Sequence, residues 1–266
     1  MQRSKFMDIK IIVATHKKYK MPDDPMYIPV HVGAEGKTDE NGNPLDLGFI
    51  KDNTGDNISL KNKNYCELTG LYWMWKNMSA DYMGLMHYRR YLASSKTGPK
   101  EERIIKKAEL EKLLKDYDIV LPTPRDYFIE TTYNQYVHTH HNEDLDFTRD
   151  IISEKYPEYL ESFDKAMKST KGHRFNMFVM RSDILDEYLT WLFDILFELE
   201  KRLDISNYTD YDARVFGFVS ERILDVWLDK QDYKRTDCPY VYLEKQNWLV
   251  KGSKFLLRKA GINKKD

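Results

Sequence analysis

The sequence predicts an α/β layer with a helix-rich second half. Apolar runs at Lys10–Thr15 (KIIVAT), Tyr82–Met86 and 118–122 (DIVLP) have the length of buried strands. Segments with apolar residues three and four apart separate these runs. That alternation of strand, helix and strand is the pattern of an α/β layer.

In chain order, KIIVAT is the first strand, followed at once by the polar turn His16-Lys17-Lys18. Residues 21–57 are rich in Pro, Gly, Asp and Asn, which favours loops, with a short strand in IPVHVGA. Long ordered loops tend to carry function. Residues 62–77 read as one helix, with Tyr65, Leu68, Tyr72 and Trp75 on a common face. The strand from Tyr82 follows. A second amphipathic helix spans about 102–116 and leads into DIVLP, which ends at Pro122. The stretch 125–172 reads as mostly helical, and RFNMFVMR, Arg174 to Arg181, as a further buried strand. Asp183 caps a long apolar helix to about Leu203, and residues 212–229 form the next helix. YKRTDCPYVYLEK supplies one or two late strands.

The chain has 266 residues, enough for a substantial core. With 41% hydrophobic and 32% charged residues it should be globular. A formal net charge of −1 argues against a general nucleic-acid binder, because no basic field covers the chain. Cys66 and Cys238 form no CxxC and no zinc spacing, which suits a reducing compartment. The apolar run near the N-terminus is too short for a signal peptide or a membrane span, so the expectation is a cytoplasmic protein. Residues 1–244 read as a single domain. The tail 245–266 carries seven Lys/Arg and one acid around Phe255, Leu256 and Leu257. A basic amphipathic end of that kind suits peripheral contact with an anionic membrane face.

The most informative segment is DYMGLMHYRRY, residues 81–91. Its buried strand stops in His87, Tyr88, Arg89, Arg90 and Tyr91. Adjacent arginines present planar charged forks that match phosphate or carboxylate oxygens. Ligands of open α/β sheets bind beyond the carboxyl ends of strands, so this cluster reads as one wall of a cleft for an anionic ligand.

ATHKK, DNTGDNIS, NYCELTGLYWMWKN, YMGLMHYRRYL, NMFVM and ARVFGFVSERIL together resemble the DUF4422 family of bacterial capsule and exopolysaccharide proteins, over roughly residues 8–230. The resemblance implies a GT-A-like, Rossmann-like mixed sheet flanked by helices, with a helical C-terminal half. It also implies transfer of a sugar from a nucleotide-diphosphate donor, UDP-linked and in some members galactofuranose, to a glycan or lipid-linked saccharide in capsule, exopolysaccharide or O-antigen synthesis.

Such an enzyme needs a nucleotide pocket, charge compensation for the leaving diphosphate, and a base or nucleophile. Thr15, His16 and Lys17 follow the first strand and face the expected cleft. Asp56 and Asn57, in the run Asp52 to Asn57, read as a loop closing over the donor; turn chemistry explains the same residues equally well. His87, Arg89 and Arg90 stand where many GT-A enzymes hold an Asp-x-Asp metal motif. The expectation is therefore metal-independent transfer, with a divalent cation (Mn or Mg) disfavoured and no metal ligands assigned. Asp210-Tyr211-Asp212 is the one Asp-x-Asp, and it comes late in the chain. His138, His140 and His141 with Asp144 and Asp146 show no clean ligand spacing. Asp212, at a helix start that favours an ionised carboxylate, is the first candidate base. Glu221, about two and a half turns on, is the second. Asn176, a buried amide that must find a partner, is a candidate for the donor sugar. The competing reading is a catalytically silent nucleotide-sugar-binding or regulatory module. A phosphate-ester hydrolase is a weaker third, since no P-loop or nucleophile elbow is present.

Overall fold

The structure, a computed structural model, describes residues 7–244. The basic tail and its membrane reading lie outside the described residues. The first half runs β1 (Ile9–Thr15), β2 (Tyr27–His31), β3 (Ile50–Lys51), α1 (Asn62–Tyr65), α2 (Leu68–Asn77), β4 (Tyr82–His87), β5 (Arg90–Leu92), α3 (Lys107–Leu114), β6 (Ile119–Pro122) and β7 (Arg125–Asp126). The second half runs α4 (Thr132–Val137), α5 (Asn142–Lys155), α6 (Leu160–Lys168), β8 (Lys171–Gly172), β9 (Phe178–Arg181), α7 (Ser182–Arg202), α8 (Val215–Asp229), β10 (Arg235–Cys238) and β11 (Tyr240–Tyr242).

The central sheet has the order β10-β6-β9-β4-β1-β2-β3, with β5 joined to β4 and to β11. β1 is parallel to β2 and β4, and β10 to β6, whereas β9 is antiparallel to both β4 and β6. This is the mixed sheet that the family resemblance implied. Strand period two splits each strand between two apolar layers. Ile12 and Ala14 join the layer made with α2, α7 and α8, while Ile11 and Val13 join the layer made with α3, β5 and β11. Gly84 of β4 faces Val179 of β9, and a Cβ there would lie 2.4 Å from the Phe178 carbonyl oxygen. Glycine therefore sits in this buried strand because the β9 backbone leaves no room.

Several expected elements come out differently. The helix over 62–77 breaks at Cys66, whose φ of 52° ends α1 before α2 begins. The α8 N-terminus packs against this corner: a Cβ on Gly217 would stand 3.3 Å from the Cys66 sulfur. The 102–116 helix shrinks to α3, because Ile105 N–H donates to the Leu92 carbonyl and Ser94 N–H to the Arg103 carbonyl, holding 103–105 against the end of β5. The strand expected from Arg174 begins only at Phe178, since Phe175 and Asn176 both take positive φ. Asp212 lies in a 3-10 turn, Asp212–Arg214, and α8 proper starts at Val215. Arg181, not Asp183, occupies the N-cap of α7, and Asp183 sits within its first turn.

Candidate functional site

β1 has β2 on one side and β4 on the other, so the strand order reverses direction between β1 and β4. Beyond the carboxyl ends of such a pair lies the ligand crevice of open α/β sheets. Two predicted segments meet there. The Thr15 side chain is buried, its hydroxyl donating to the Lys17 carbonyl and accepting from Lys17 N–H, which fixes the turn after β1. His16 stands edge-on to Tyr88, with ring centres 5.4 Å apart. Lys17 Nζ lies 5.3 Å from the Tyr88 ring and Arg89 Cζ 4.9 Å from it. Burial, Arg89, Lys17 and Arg214 all lower the pKa of His16, which keeps its imidazole neutral at pH 7.

The two arginines do not act as a matched pair. Arg89 remains about half exposed, its guanidinium 3.1 Å from Glu244. Arg90 belongs to β5, where neighbouring side chains take opposite faces. Its guanidinium lies 3.8 Å from the Phe175 ring centre and 4.7 Å from that of Tyr242, in the corner made by these two edge-to-face rings, and its Nε is buried without a hydrogen-bond partner. His87 donates from Nε2 to the Phe175 carbonyl at 2.5 Å. Burial first, then Arg90, pushes the His87 pKa down to about 4, so this histidine is neutral and holds the turn before β9 in place. Arg90 and His87 are thus walls of the cleft, and Arg89 and Lys17, each about half exposed, are accessible cations.

A second set of residues closes the cleft from the helical layer. The break at Cys66 places Glu67 at the N-cap of α2. The Asn176 side-chain amide donates to Glu67 Oε1 at 2.8 Å and to the Gly217 carbonyl at 3.3 Å, while its own oxygen accepts from the Ser220 hydroxyl at 3.1 Å. Asn176 is therefore fully engaged, and its φ of 52° is what turns it toward α2 and α8. Burial raises the Glu67 pKa; the Asn176 hydrogen bond and the charges of Arg214 and Arg90 oppose that only in part. Arg214 Nε donates to the Cys66 sulfur at 3.1 Å, so this cation sits beside Glu67 while its charge also reaches His16.

The remaining predicted residues fall elsewhere or are engaged. Asp212 accepts from Thr209 at 2.7 Å and meets His140 Nδ1 at 3.1 Å, with His141 at 3.9 Å. Asp210 instead contacts Lys63 at 3.0 Å, so the two carboxylates of Asp-x-Asp do not converge. Glu221 is paired with Arg222 at 3.1 Å. Asp56 accepts from the Tyr72 hydroxyl on its side chain and from the Asn77 amide on its carbonyl, which ties this loop to α2 and not to the strand-end cations, and Asn57 Oδ1 accepts locally from Ser59 N–H. Asp144 is held by Tyr136 and Tyr208, and Asp146 by Tyr133 and Asn142. Among the described residues no three His, Cys, Asp or Glu side chains are grouped to hold a metal ion.

Glu67 and Arg214 are the residues that sequence reasoning passed over as cleft groups. On an unbroken helix Glu67 lies two residues from Tyr65, off the apolar face, and reads as solvent-facing. Only the turn at Cys66 redirects it. A separate cavity of about 570 Å³, walled in part by Tyr19, Asp24, Tyr27, Ile105 and Leu243, adjoins the site. Tyr19 packs on Tyr88 with ring centres 5.0 Å apart, and Leu243 N–H donates to the Arg89 carbonyl. That cavity is lined by charges of both signs, with four acids and two lysines, whereas Lys17 and Arg89 gather on Tyr88 at the strand ends, which define the candidate site for an anionic ligand. Among the described residues no helix is long and apolar enough to cross a membrane.

The family model described as "Domain of unknown function (DUF4422)" matches residues 10–232. Among solved structures, the apo structure of WbbM, a bifunctional glycosyltransferase, superposes with a TM-score of 0.80 at 30% identity. The match covers 90% of this chain and 46% of the WbbM chain, so this chain spans less than half the length of that protein. No curated protein matches the chain.

Proposed function

The chain belongs to the DUF4422 family, and we propose that it is a glycosyltransferase moving a sugar from a nucleotide-diphosphate donor to a saccharide acceptor. The observation that carries this reading is the meeting of His16, Lys17 and Arg89 at the β1/β4 reversal, with the charge of Arg214 reaching the same point. Diphosphate leaves with added negative charge, and fixed cations at the cleft stabilise that charge as it develops. A neutral His16 adds a donor or acceptor that suits ribose or phosphate oxygen without a further charge. The likeness to WbbM supports the reaction class.

The donor is a UDP-linked sugar such as UDP-galactofuranose, and the acceptor a glycan or lipid-linked saccharide of capsule, exopolysaccharide or O-antigen synthesis, as the family resemblance implies. Arg89, Lys17 and Arg214 take the charge-compensating role, so turnover is independent of divalent metal. The test combines thermal shift and turnover. UDP should raise the melting temperature, because a ligand held by the native state alone stabilises it. UDP release from a UDP-sugar should persist in EDTA. Binding of UDP with no release from any donor would leave a silent binding module in place of an enzyme; absence of binding would remove the nucleotide reading altogether.

A further inference from the structure

We propose that Glu67 is the general base that removes the acceptor hydroxyl proton, an assignment that rests on the transferase reading above. The acceptor oxygen forms a bond to the anomeric carbon. The bond from that carbon to the diphosphate oxygen breaks, and its electron pair leaves with UDP. The hydroxyl proton passes to the Glu67 carboxylate.

Three observations converge on this residue. The first is position. Arg214 Nε donates to the sulfur of Cys66, the residue next to Glu67, at 3.1 Å, and the charge of Arg214 acts on both Glu67 and His16. A sugar attached to a diphosphate held by Arg214, Arg89 and Lys17 therefore lies near the Glu67 carboxylate. The second is preorganisation. A single amide, Asn176, grips the carboxylate, and Ser220 and Gly217 of α8 in turn grip that amide. Two left-handed residues, Phe175 and Asn176, sustain the arrangement at a conformational cost. The third is availability. Glu67 makes no salt bridge among the described residues, whereas Asp212 is tied to His140 and Thr209, Glu221 to Arg222, and Glu244 to Arg89. Burial also raises its proton affinity, which makes the carboxylate a stronger base than a solvated one.

Glu67→Gln keeps an oxygen to accept from Asn176 and removes only the basicity. UDP affinity, by titration calorimetry, should stay at the wild-type value. UDP release from UDP-galactofuranose or UDP-galactose, with water or a galactoside as acceptor, should fall by about 10²–10⁴-fold. The acid limb of the wild-type kcat/KM profile should vanish in the variant. Retained turnover with the wild-type acid limb would overturn the assignment, and so would loss of that limb in Asp212→Asn alone. If the Gln variant does not fold, Glu67→Asp decides. It should keep the acid limb while losing turnover, and full turnover in it would count against the proposal. A wild-type chain that neither binds UDP nor releases it refutes the transferase reading itself and takes the base assignment with it. A wild type that turns over beside an equally active Glu67→Gln refutes the base alone.

Discussion

The guanidinium of Arg90 lies 3.8 Å from the centre of the Phe175 ring and 4.7 Å from that of Tyr242, the two rings meeting edge to face beside it. This stack ties β5 and β11 to the turn before β9, the same turn that carries Asn176. Desolvated cation–π contacts of this kind contribute about 2 kcal/mol. Arg90→Lys keeps the charge but loses the planar fork, and should lower stability by about 1–2 kcal/mol in urea unfolding. A variant as stable as the wild type would show that the stack contributes nothing to the fold.

Arg89 should behave in the opposite way. It is half exposed, and its pairing with Glu244 is screened by water, so Arg89→Ala should cost under about 1 kcal/mol of stability. If Arg89 contacts the diphosphate, the same change should weaken UDP binding by about 2–4 kcal/mol. Calorimetric titration with UDP reads this directly. Unchanged affinity would reduce Arg89 to a partner of Glu244.

The strands β1, β4, β6 and β9 were legible in the sequence because each holds a short apolar run, whereas β3, β5, β7 and β8, two or three residues long, gave no such signal; ATHKK and the HYRR segment were each read as facing the cleft. The helical layer was less legible where tertiary contacts override local pattern. Nothing in NYCELTG announces that Cys66 takes φ of 52°, since that conformation is imposed by packing against Gly217. The buried amide of Asn176 was visible as an anomaly, but its partners come from α2 and α8, more than forty residues away on either side. Arg89 and Arg90 look equivalent as a dipeptide. Strand alternation separates them, and that requires knowing that β5 starts at Arg90.

Two histidines should shape stability against pH with opposite signs. His173 bridges Asp225 (2.5 Å) and Asp237 (3.0 Å); burial alone would lower its pKa, but the two carboxylates outweigh burial and raise it to about 9. Its folded pKa exceeds the unfolded value near 6.5, so its contribution is whole below pH 6.5 and is lost as pH rises through 9. The shift corresponds to on the order of 3 kcal/mol. His87, pushed down to about 4, binds its proton more weakly when folded, so it lowers stability as pH falls from 6.5 toward 4. Unfolding free energy should therefore decline on both sides of about pH 6.5. His173→Gln should flatten the alkaline side. An alkaline slope identical to the wild type would show that the clamp is not protonated in the native state.

Gly84→Ala tests the close approach of β4 and β9. The added methyl would meet the Phe178 carbonyl at 2.4 Å and Val179 Cγ2 at 2.9 Å, and a backbone atom cannot move aside without shifting the strand. Overpacking of this kind costs about 1–3 kcal/mol, and here the upper end is expected. The cleft sits at the far end of β4, so the folded fraction should still bind UDP. A melting temperature equal to wild type would mean that the two strands have slack.

Asp52 organises the long loop region after β2. It is fully buried and accepts four hydrogen bonds, from Gly33 N–H (2.8 Å), Ala34 N–H (3.0 Å), the Ser59 hydroxyl (2.5 Å) and the Thr69 hydroxyl (2.6 Å). One carboxylate thereby joins the end of β2, the segment before α1 and the first turn of α2. Truncation leaves several buried donors without an acceptor, each worth about 1–3 kcal/mol. Asp52→Ala should lower unfolding free energy by more than about 3 kcal/mol, whereas Asp52→Asn keeps one acceptor oxygen and should lose less. Chemical denaturation of the two variants side by side checks the order. An alanine variant no less stable than the asparagine one would show that water replaces the carboxylate, and that the loop is held by its apolar contacts instead.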